Sequence, residues 1–215
     1  PMVTATVAVS NVFLPAEISL RKEKESLQTV QGNDGTVTQT LANVPGEGFV
    51  FGLFSDLDIH YSVGTLMADT LVATGATNAE GKLTFAGCYP HGDYYIKELS
   101  APTGWKINPD AFPVTLDPAA KADDANVIRI SLPEAVHDEL IYTSVTLTKM
   151  DITGQKTLPN AQIEVRNDNG EVIYRAVTDE NGQIPDIPVV PGKYTFREVL
   201  APDGYSLSET VLTFE

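Results

Sequence analysis

Residues 94–105, YYIKELSAPTGW, and residues 194–205, YTFREVLAPDGY, share the pattern Tyr-x-x-x-Glu-x-x-Ala-Pro-x-Gly-aromatic. The two copies lie one hundred positions apart, which predicts two copies of one structural module. Because the side chains of a strand alternate between its faces, Tyr194, Phe196 and Glu198 share one face. That face is apolar apart from the glutamate, and a carboxylate there is costly unless it is paired or protonated. The pattern therefore predicts a partner for the glutamate inside each module.

Upstream of each glutamate lies a lysine whose side chain is also predicted to point to the apolar face of its strand. In residues 18–22, ISLRK, the apolar residues share a face with Lys22, and in residues 145–149, VTLTK, they share a face with Lys149. One such lysine has two structural interpretations: a buried Lys–Glu ion pair, or a lysine that reaches solvent from a strand end. The same lysine-then-glutamate order in both modules favours a dedicated site in each.

An asparagine or aspartate precedes each lysine by eleven positions: Asn11 before Lys22, and Asp138 before Lys149. By the same alternation, Asn11 shares a face with two valines, and Asp138 shares a face with Val136. Each lysine strand therefore follows, across a short linker, a strand that ends in an inward Asn or Asp. That strand belongs to the preceding module, and its Asn or Asp would face the lysine of that module.

These features resemble the Cna-B/SpaA-type domains of Gram-positive surface proteins and pilins. Further matching marks are GFVFGLFS at residues 48–55, the Thr-Asn/Asp-x-x-Gly turns at 77–81 and 178–182, and the Pro-Gly-Lys-Tyr turn at 191–194. The resemblance covers nearly all residues from Glu17 onward, and the marks are specific only in combination. It implies transthyretin-like β-sandwich modules that hold a spontaneous Lys–Asn or Lys–Asp isopeptide bond, with the glutamate as catalyst.

Carried over residue by residue, the resemblance implies a first triad of Lys22, Glu98 and Asp138. Low polarity favours a neutral amine, which is a nucleophile, and a protonated glutamate, which polarises the acceptor carbonyl and shuttles protons. The fold would hold amine and carbonyl in contact, so the reaction becomes intramolecular. An aspartate acceptor departs from the commoner asparagine and would release water instead of ammonia. A plain charge pair between Lys22 and Asp138 therefore stays open as an alternative.

The second triad is incomplete in this chain. Lys149 and Glu198 would supply two of its members, and Asn11 would be the acceptor of a module that precedes the first. One expected outcome is an unreacted pair of Lys149 and Glu198. The other is a strand swap, in which residues 3–11 of a neighbouring copy add to the open edge and cross-link Asn11 to Lys149.

The repeat also predicts the domain organisation. We expect residues 1–13 to hold the last strand of a preceding module, with Pro1-Met2 as a tag scar. Residues 14–141 form a first Cna-B-like module with loop insertions, and residues 142–215 form a second module that lacks its last strand. Neither a signal peptide nor a wall-sorting motif occurs, so we expect an internal segment of a longer protein.

The composition agrees with an all-β protein, and the resemblance implies two tandem transthyretin-like or Ig-like β-sandwich modules. The 215 residues suffice for two domains, and Val and Thr recur in alternating runs that Gly, Pro, Asn and Asp interrupt. A net charge of −15 argues against nucleic acid and anionic membranes, and no apolar run is long enough for membrane insertion. The single cysteine, Cys88, excludes an intrachain disulfide, so an isopeptide bond would supply the covalent staple.

We expect no metal site and no cofactor. The segments at 167–171 and 179–182 superficially suggest calcium loops, but they fit hairpin turns between strands better. Cys88, His91 and Asp93 could form a metal cluster, but no fourth ligand follows at a recognisable spacing. A partly buried thiol is the simpler interpretation of Cys88.

Two classes of function remain. The leading one is a structural stalk or pilin-type segment, extracellular and anchored to the cell wall, whose partners are further modules of the same polypeptide and other pilin subunits. The alternative is an adhesin module that binds a host or partner ligand through the insertions at 23–48 and 56–70. An enzyme for external substrates ranks third, because the triad is internal and reacts once.

Overall fold

A computed structural model describes residues 13–117, 119, 123 and 126–215, and all regular secondary structure in these residues is β-strand. The strands are Ala16–Gln31 (β1), Val37–Pro45 (β2), Val50–Ser55 (β3), Ile59–Tyr61 (β4), Gly64–Leu66 (β5), Leu71–Ala76 (β6), Lys82–Gly87 (β7), Gly92–Ser100 (β8), Ala111–Leu116 (β9), Ile128–Ser131 (β10), Val136–Asp138 (β11), Thr143–Thr148 (β12), Gln162–Asn167 (β13), Val172–Val177 (β14), Gln183–Val189 (β15), Tyr194–Leu200 (β16) and Val211–Phe214 (β17). No helix of membrane-spanning length and hydropathy occurs in this part of the chain.

The strands form two compact units, and in each of them two main sheets face each other, with the small β4–β5 hairpin as an addition to the first. The first unit holds the described residues up to Lys24, Pro45–Thr103 and Ile107–Asp138. The second holds Glu25–Val44, Gly104–Lys106 and Glu139–Glu215. The predicted fold class of two tandem β-sandwich modules is confirmed. The predicted boundary after residue 141 stays a prediction, as does the assignment of residues 1–13, nearly all of which lie outside the described residues.

In the first unit, β1 carries the pairing that positions the later site. One edge of β1 pairs antiparallel with β7, and the other pairs parallel with β10 and then β11. The second sheet has the order β6–β3–β8–β9. Alternating apolar residues of both sheets are buried, among them Ile18, Leu20, Phe51, Tyr94 and Ile96. The predicted inward parity of β1 and β8 therefore matches the burial pattern.

The second unit repeats this plan with fewer partners. Strand β12 pairs antiparallel with β15, and the other sheet runs β14–β13–β16–β17. One further strand, β2, adds to β14 through the pair Arg175 and Val37. The core is aliphatic with two aromatic rings, Tyr194 and Phe196, on β16. As predicted, Glu198 is buried on the same face of β16 as these rings.

The two insertions expected as loops contain strands, which corrects that expectation. The segment 23–48 contains the second half of β1 together with β2, and the segment 56–70 contains the small hairpin of β4 and β5. The turn at 167–170 joins the paired strands β13 and β14, as expected of a hairpin. The turn at 179–182 joins β14 to β15, which lie in different sheets, so it is not a hairpin turn.

A glycine turn fixes the backbone of each lysine. Gly81 has a φ of +71°, its carbonyl accepts the amide of Lys22 at 2.7 Å, and a Cβ placed on it would lie 2.3 Å from the Lys22 carbonyl oxygen. Gly182 has a φ of +73°, and its carbonyl accepts the amide of Lys149 at 2.8 Å. Only glycine combines this backbone conformation with such a close approach. The Thr-Asn/Asp-x-x-Gly turns therefore set the position of both lysines.

Gly81→Ala should destabilise the first unit by more than ~2 kcal/mol, because the added methyl group meets the backbone of Lys22. Gly48→Ala is the matched control. Gly48 has a similar φ of +81°, but its added Cβ would touch nothing nearer than 3.7 Å. We expect Gly48→Ala to lower the free energy of unfolding by about 1 kcal/mol, because only the unfavourable backbone conformation contributes. Calorimetric melting of both variants measures the difference, and equal losses would contradict the role assigned to the Lys22 contact.

Candidate functional site

The first unit brings Lys22, Glu98 and Asp138 together in its interior. Lys22 Nζ donates a hydrogen bond to Asp138 Oδ1 and lies 3.2 Å from Glu98 Oε2. All three side chains are fully buried, at 0% exposure. The structure thus places the three residues of the predicted first triad in mutual contact.

Strand pairing explains how they meet. In the parallel pairing of β1 with β11, Lys22 lies opposite Val136, and Asp138 follows two positions later on the same face. Glu98 belongs to β8 of the facing sheet, where its backbone neighbour on β3 is Phe51. Amine and acceptor therefore come from adjacent strands of one sheet, and the glutamate reaches them from the other.

Aromatic rings enclose the amine. Lys22 Nζ lies 4.7 Å from the centroid of the Phe49 ring and 5.9 Å from that of Phe51. Both rings are fully buried. They separate the amine from solvent, so its remaining polar contacts are the two carboxyl groups.

Burial is the largest cause of the raised pKa of Glu98. Loss of solvation raises the pKa of this carboxyl from 4.5 to about 7; the amine of Lys22 opposes the shift and the carboxyl of Asp138 adds to it. Near neutral pH a large fraction of Glu98 is therefore protonated. With one amine and two carboxyl groups, the site is electrically neutral when one carboxyl is protonated. A neutral Glu98 thus balances the charge and supplies an acidic proton.

The carboxyl oxygens retain unused hydrogen-bonding capacity. Among the described residues, no hydrogen bond of regular geometry reaches either oxygen of Glu98 or Oδ2 of Asp138. Buried oxygens in that condition are costly, and the contact with Lys22 offsets only part of the cost. The arrangement holds one amine and two carboxyl groups in contact in a site shielded from solvent.

Glu164 shows that burial of a glutamate does not by itself lead to a raised pKa. Its side chain is 3% exposed, and burial by itself would raise its pKa. Hydrogen bonds from Arg175 and Arg166, each at 2.6 Å, outweigh that effect and lower the pKa of Glu164. Arg197 contacts the same carboxylate at 3.3 Å. Glu164 is thus a paired structural carboxylate, a cluster that the sequence analysis missed.

The second unit brings only two of the predicted residues together. Lys149 Nζ lies 3.6 Å from Glu198 Oε1, and the Lys149 side chain is 20% exposed where that of Lys22 is fully buried. Glu198 Oε2 accepts the amide of Ser208 at 2.7 Å. The predicted acceptor Asn11 lies outside the described residues.

Two buried threonines hold the backbone near the start of the glycine turns, and the sequence did not single out their side chains. Thr77 Oγ1 accepts the amide of Phe49, the ring nearest the Lys22 amine, at 3.1 Å. Thr178 Oγ1 accepts the amide of Ala161 at 3.0 Å in the second unit. Both threonines are buried and begin the repeated glycine turns. The repetition of the Thr-Asn/Asp-x-x-Gly turn in both modules could have pointed to these threonines.

The residues considered for metal binding do not form a site. Within the described ranges, no group of three or more His, Cys, Asp or Glu side chains could hold an ion. Cys88 is exposed, so the expectation of a partly buried thiol was wrong. The residue follows β7 at the point where the chain leaves the sheet.

Sequence and structure comparisons assign the family. The family model of the SpaA prealbumin-like fold domain matches residues 42–128 and 143–215, one match in each repeat. The chain therefore belongs to the SpaA family of prealbumin-like domains, which confirms the resemblance found in the sequence. No curated protein sequence matches the chain significantly.

Several solved structures are similar to the chain at low identity, and two of them have TM-scores above 0.5. The Bacillus anthracis TIE protein is 18% identical, with a TM-score of 0.59 over 95% of this chain and 48% of that chain. The C-terminal fragment of the pilus adhesin SpaC from Lactobacillus rhamnosus GG is 15% identical, with a TM-score of 0.52 over 94% and 82%. The shaft pilin SpaA from the same organism is 16% identical, with a TM-score of 0.35 over 94% and 93%. The chain spans about half the length of the TIE protein chain.

The raised pKa of Glu98 predicts a pH-dependent stability that Glu98→Gln removes. The double variant Lys22→Met/Asp138→Asn removes the two charged neighbours of Glu98. Burial is then the remaining cause of the shift, and it raises the pKa of Glu98 above the unfolded value of 4.5. The folded state then binds more protons than the unfolded state, so stability falls as pH rises from 4.5 through the folded pKa. We expect a loss of roughly 2–3 kcal/mol between pH 4.5 and 8.

Denaturant titrations at several pH values measure this loss. The matched variant Lys22→Met/Asp138→Asn/Glu98→Gln should have a much flatter profile over the same range. Parallel profiles for the two variants would show that Glu98 does not titrate with a raised pKa.

Proposed function

We propose that the first module forms an amide bond between Lys22 Nζ and Asp138 Cγ, with Glu98 as the proton carrier. The observation that carries this proposal is the direct contact of Lys22 Nζ with Asp138 Oδ1 beside a buried Glu98. Both partners are fully buried, so an unreacted ion pair would carry the full cost of desolvation. An amide has no net charge and removes that cost.

The reaction balances without any further reactant. A proton passes from the Lys22 ammonium to the carboxylate of Asp138, with Glu98 as relay, which leaves a neutral amine and a neutral acid. The amine attacks Asp138 Cγ, protonated Glu98 donates its proton to the developing oxyanion, and the attacking nitrogen then returns a proton to Glu98. The C–N bond then forms fully, the C–O bond breaks, and one water molecule leaves. The strands hold the reactants in contact, so the step is intramolecular.

The bond would join the ends of the module. Lys22 and Asp138 lie 116 positions apart in the sequence and on neighbouring strands in the fold. Closing a loop of that size lowers the entropy of the unfolded chain, worth about 4–5 kcal/mol by analogy with a disulfide. The chain has a single cysteine, so no disulfide within it could do the same.

We infer a structural role for this module in an extracellular, cell-wall-anchored surface protein such as a pilus or stalk. The SpaA-family fold and its likeness to a pilus adhesin fragment support that role. Further modules of the same polypeptide and other pilin subunits are the partners this role implies. The protein is not an enzyme in the usual sense under this proposal, because the reaction consumes its own side chains and occurs once.

A second candidate function is ligand binding by the insertion at 56–70. Strands β4 and β5 and their flanks expose three large apolar side chains, namely Leu57, Val63 and Met67. Val63, between the two strands, is 88% exposed. An adhesin contact with a host or partner protein would use such groups. Binding to immobilised extracellular-matrix protein that disappears in Val63→Ser/Met67→Ser would support this alternative, and binding unchanged by the substitutions would argue against it.

Intact mass tests the amide directly. The wild-type chain should be ~18 Da lighter than its sequence mass, because one water leaves. Lys22→Ala and Glu98→Ala should both restore the full mass and lower the melting temperature of the first unit by roughly 10 °C or more. Asp138→Asn should lose ~17 Da instead, because ammonia replaces water.

The control is Lys106→Ala. Lys106 pairs with Glu139 at the surface, where both side chains are 62% exposed, so the mass loss and melting temperature should hardly change. A wild-type chain with its full sequence mass would refute the amide and leave a buried ion pair.

Proteolysis provides an independent prediction. With the amide formed, trypsin should degrade the second unit before the first, although the first carries the longer insertions. Peptide mapping over a time course measures the order. Lys22→Ala should reverse or abolish it, and a wild-type chain in which the first unit is cut earlier would contradict the proposed lock.

A further inference from the structure

Two residues beside Lys22 are matched in size. Gly46 donates its amide to the Lys22 carbonyl at 2.9 Å. A Cβ on Gly46 would lie 2.7 Å from Lys22 Cγ and 3.0 Å from the ring of Phe49. The ring therefore fills the space that a side chain at position 46 would need. Because glycine leaves that space free, the Phe49 ring can lie over the amine, with its centroid 4.7 Å from Nζ.

One short turn holds the backbone of both the ring and the lysine. Phe49 lies immediately before β3, its amide donates to Thr77 Oγ1 at 3.1 Å, and its carbonyl accepts the Thr77 amide at 3.0 Å. The turn that begins at Thr77 ends at Gly81, whose carbonyl accepts the Lys22 amide at 2.7 Å. Asn78 Oδ1 accepts two amides that follow it, at 3.1 and 2.8 Å, which stiffens the turn. The ring and the lysine are thus fixed relative to each other.

The second unit has the same backbone contacts with the opposite residue sizes. Leu158 donates its amide to the Lys149 carbonyl at 2.9 Å, which is the contact that glycine makes in the first unit. Ala161, three positions later, donates its amide to Thr178 Oγ1 at 3.0 Å and accepts the Thr178 amide at 2.9 Å. These are the two contacts that phenylalanine makes in the first unit. A small residue and then a large one in the first unit therefore correspond to a large residue and then a small one in the second.

We propose that Phe49 positions the Lys22 amine for amide formation, an inference that rests on the proposed function. The face of an aromatic ring attracts an ammonium group, and the buried ring keeps water away from it. Leucine, which supplies the bulk in the second unit, has no such face. The ring thus holds Nζ against Asp138 before the proton leaves, and it raises the fraction of time that amine and acceptor spend in contact.

The variant Gly46→Leu/Phe49→Ala tests this role, because it gives the first unit the residue pair of the second. The exchange nearly conserves the total side-chain volume, and Gly46 lies outside the left-handed backbone region, so we expect the first unit to fold. The Lys22 stem must move away from the new leucine, and the ring is lost. We expect the amide to form at least ~10-fold more slowly than in the wild type.

Intact mass gives the rate of amide formation. Full-length chains from inclusion bodies, dissolved in denaturant, fold and react when they are diluted into buffer. Samples quenched with acid at successive times show the fraction of chains that has lost ~18 Da, and the sample at time zero gives the starting fraction. Near-ultraviolet circular dichroism measures the folded fraction of each variant in the same buffer.

Phe85→Leu is the control for a loss of stability without a change at the amine. Phe85 is 3% exposed and lies opposite Ile18 on β1, four positions before Lys22. The substitution removes packing from the same core. We expect its rate to stay within about twofold of the wild type, because the geometry around the amine is retained.

The contact of Phe49 with Thr77 provides a second measurement, which also serves if the double variant does not fold. Thr77→Val removes the acceptor of the Phe49 amide and should slow amide formation. Thr77→Ser retains the hydroxyl group and should restore the wild-type rate. Thr178→Val makes the same change in the second unit and should leave the rate in the first unit unchanged.

Equal rates for the double variant and the wild type would overturn the role of Phe49. Equal slowing in Phe85→Leu would do the same, since the rate would then follow stability alone, and so would equal rates in Thr77→Val and Thr77→Ser. A wild-type chain that never loses mass would refute the proposed amide together with this inference. A wild-type chain that reacts no faster than the double variant would refute this inference and leave the amide in place.

Discussion

One buried amine between two buried carboxyl groups governs the first unit. Such a cluster is unstable in an ordinary core, because each charge loses its water. Here, burial raises the pKa of Glu98 to about 7, and protonation of this carboxyl makes the cluster neutral. The parallel pairing of β1 with β11 is what brings amine and acceptor side by side.

The two units can be compared to see how strand pairing next to the lysine affects the burial of its side chain. Both have a lysine fixed by a glycine turn and a glutamate from the opposite sheet. They differ at the strand edge next to the lysine. Among the described residues, β11 pairs with β1 beside Lys22, whereas β12 pairs with β15 alone. Lys22 is fully buried and Lys149 is 20% exposed, so the burial of each lysine follows the strand pairing beside it.

Much of this architecture was predictable from side-chain alternation. Strand side chains alternate between two faces, so the apolar neighbours of Lys22, Glu98 and Asp138 predict that these three side chains point inward. Their matching order in the two repeats predicts that they lie close together in the module. The family fold followed from the same marks. These predictions succeeded because burial forces one face of each strand inward and leaves little freedom of register.

Other features were not readable from the sequence, for physical reasons. The close approach of Gly81 to Lys22 depends on tertiary packing, which a glycine in a turn pattern does not specify. In the Glu164 cluster, Arg175 and Arg197 come from the two strands that pair with β13, so they become neighbours of Glu164 only after the sheet has formed. The insertions read as loops because their polar, exposed strands lack the alternation that a buried face imposes.

The short connection between β11 and β12 bears on the mechanics of the molecule. With an amide between Lys22 and Asp138, tension along the chain would enter and leave the first module through this cross-link and bypass the residues inside the closed loop. The load would then pass from Asp138 to Thr143 over five positions, a contour of about 17 Å at ~3.4 Å per residue. Extension under force would be confined to segments outside the closed loop, so the first module would stay folded while its connections straighten.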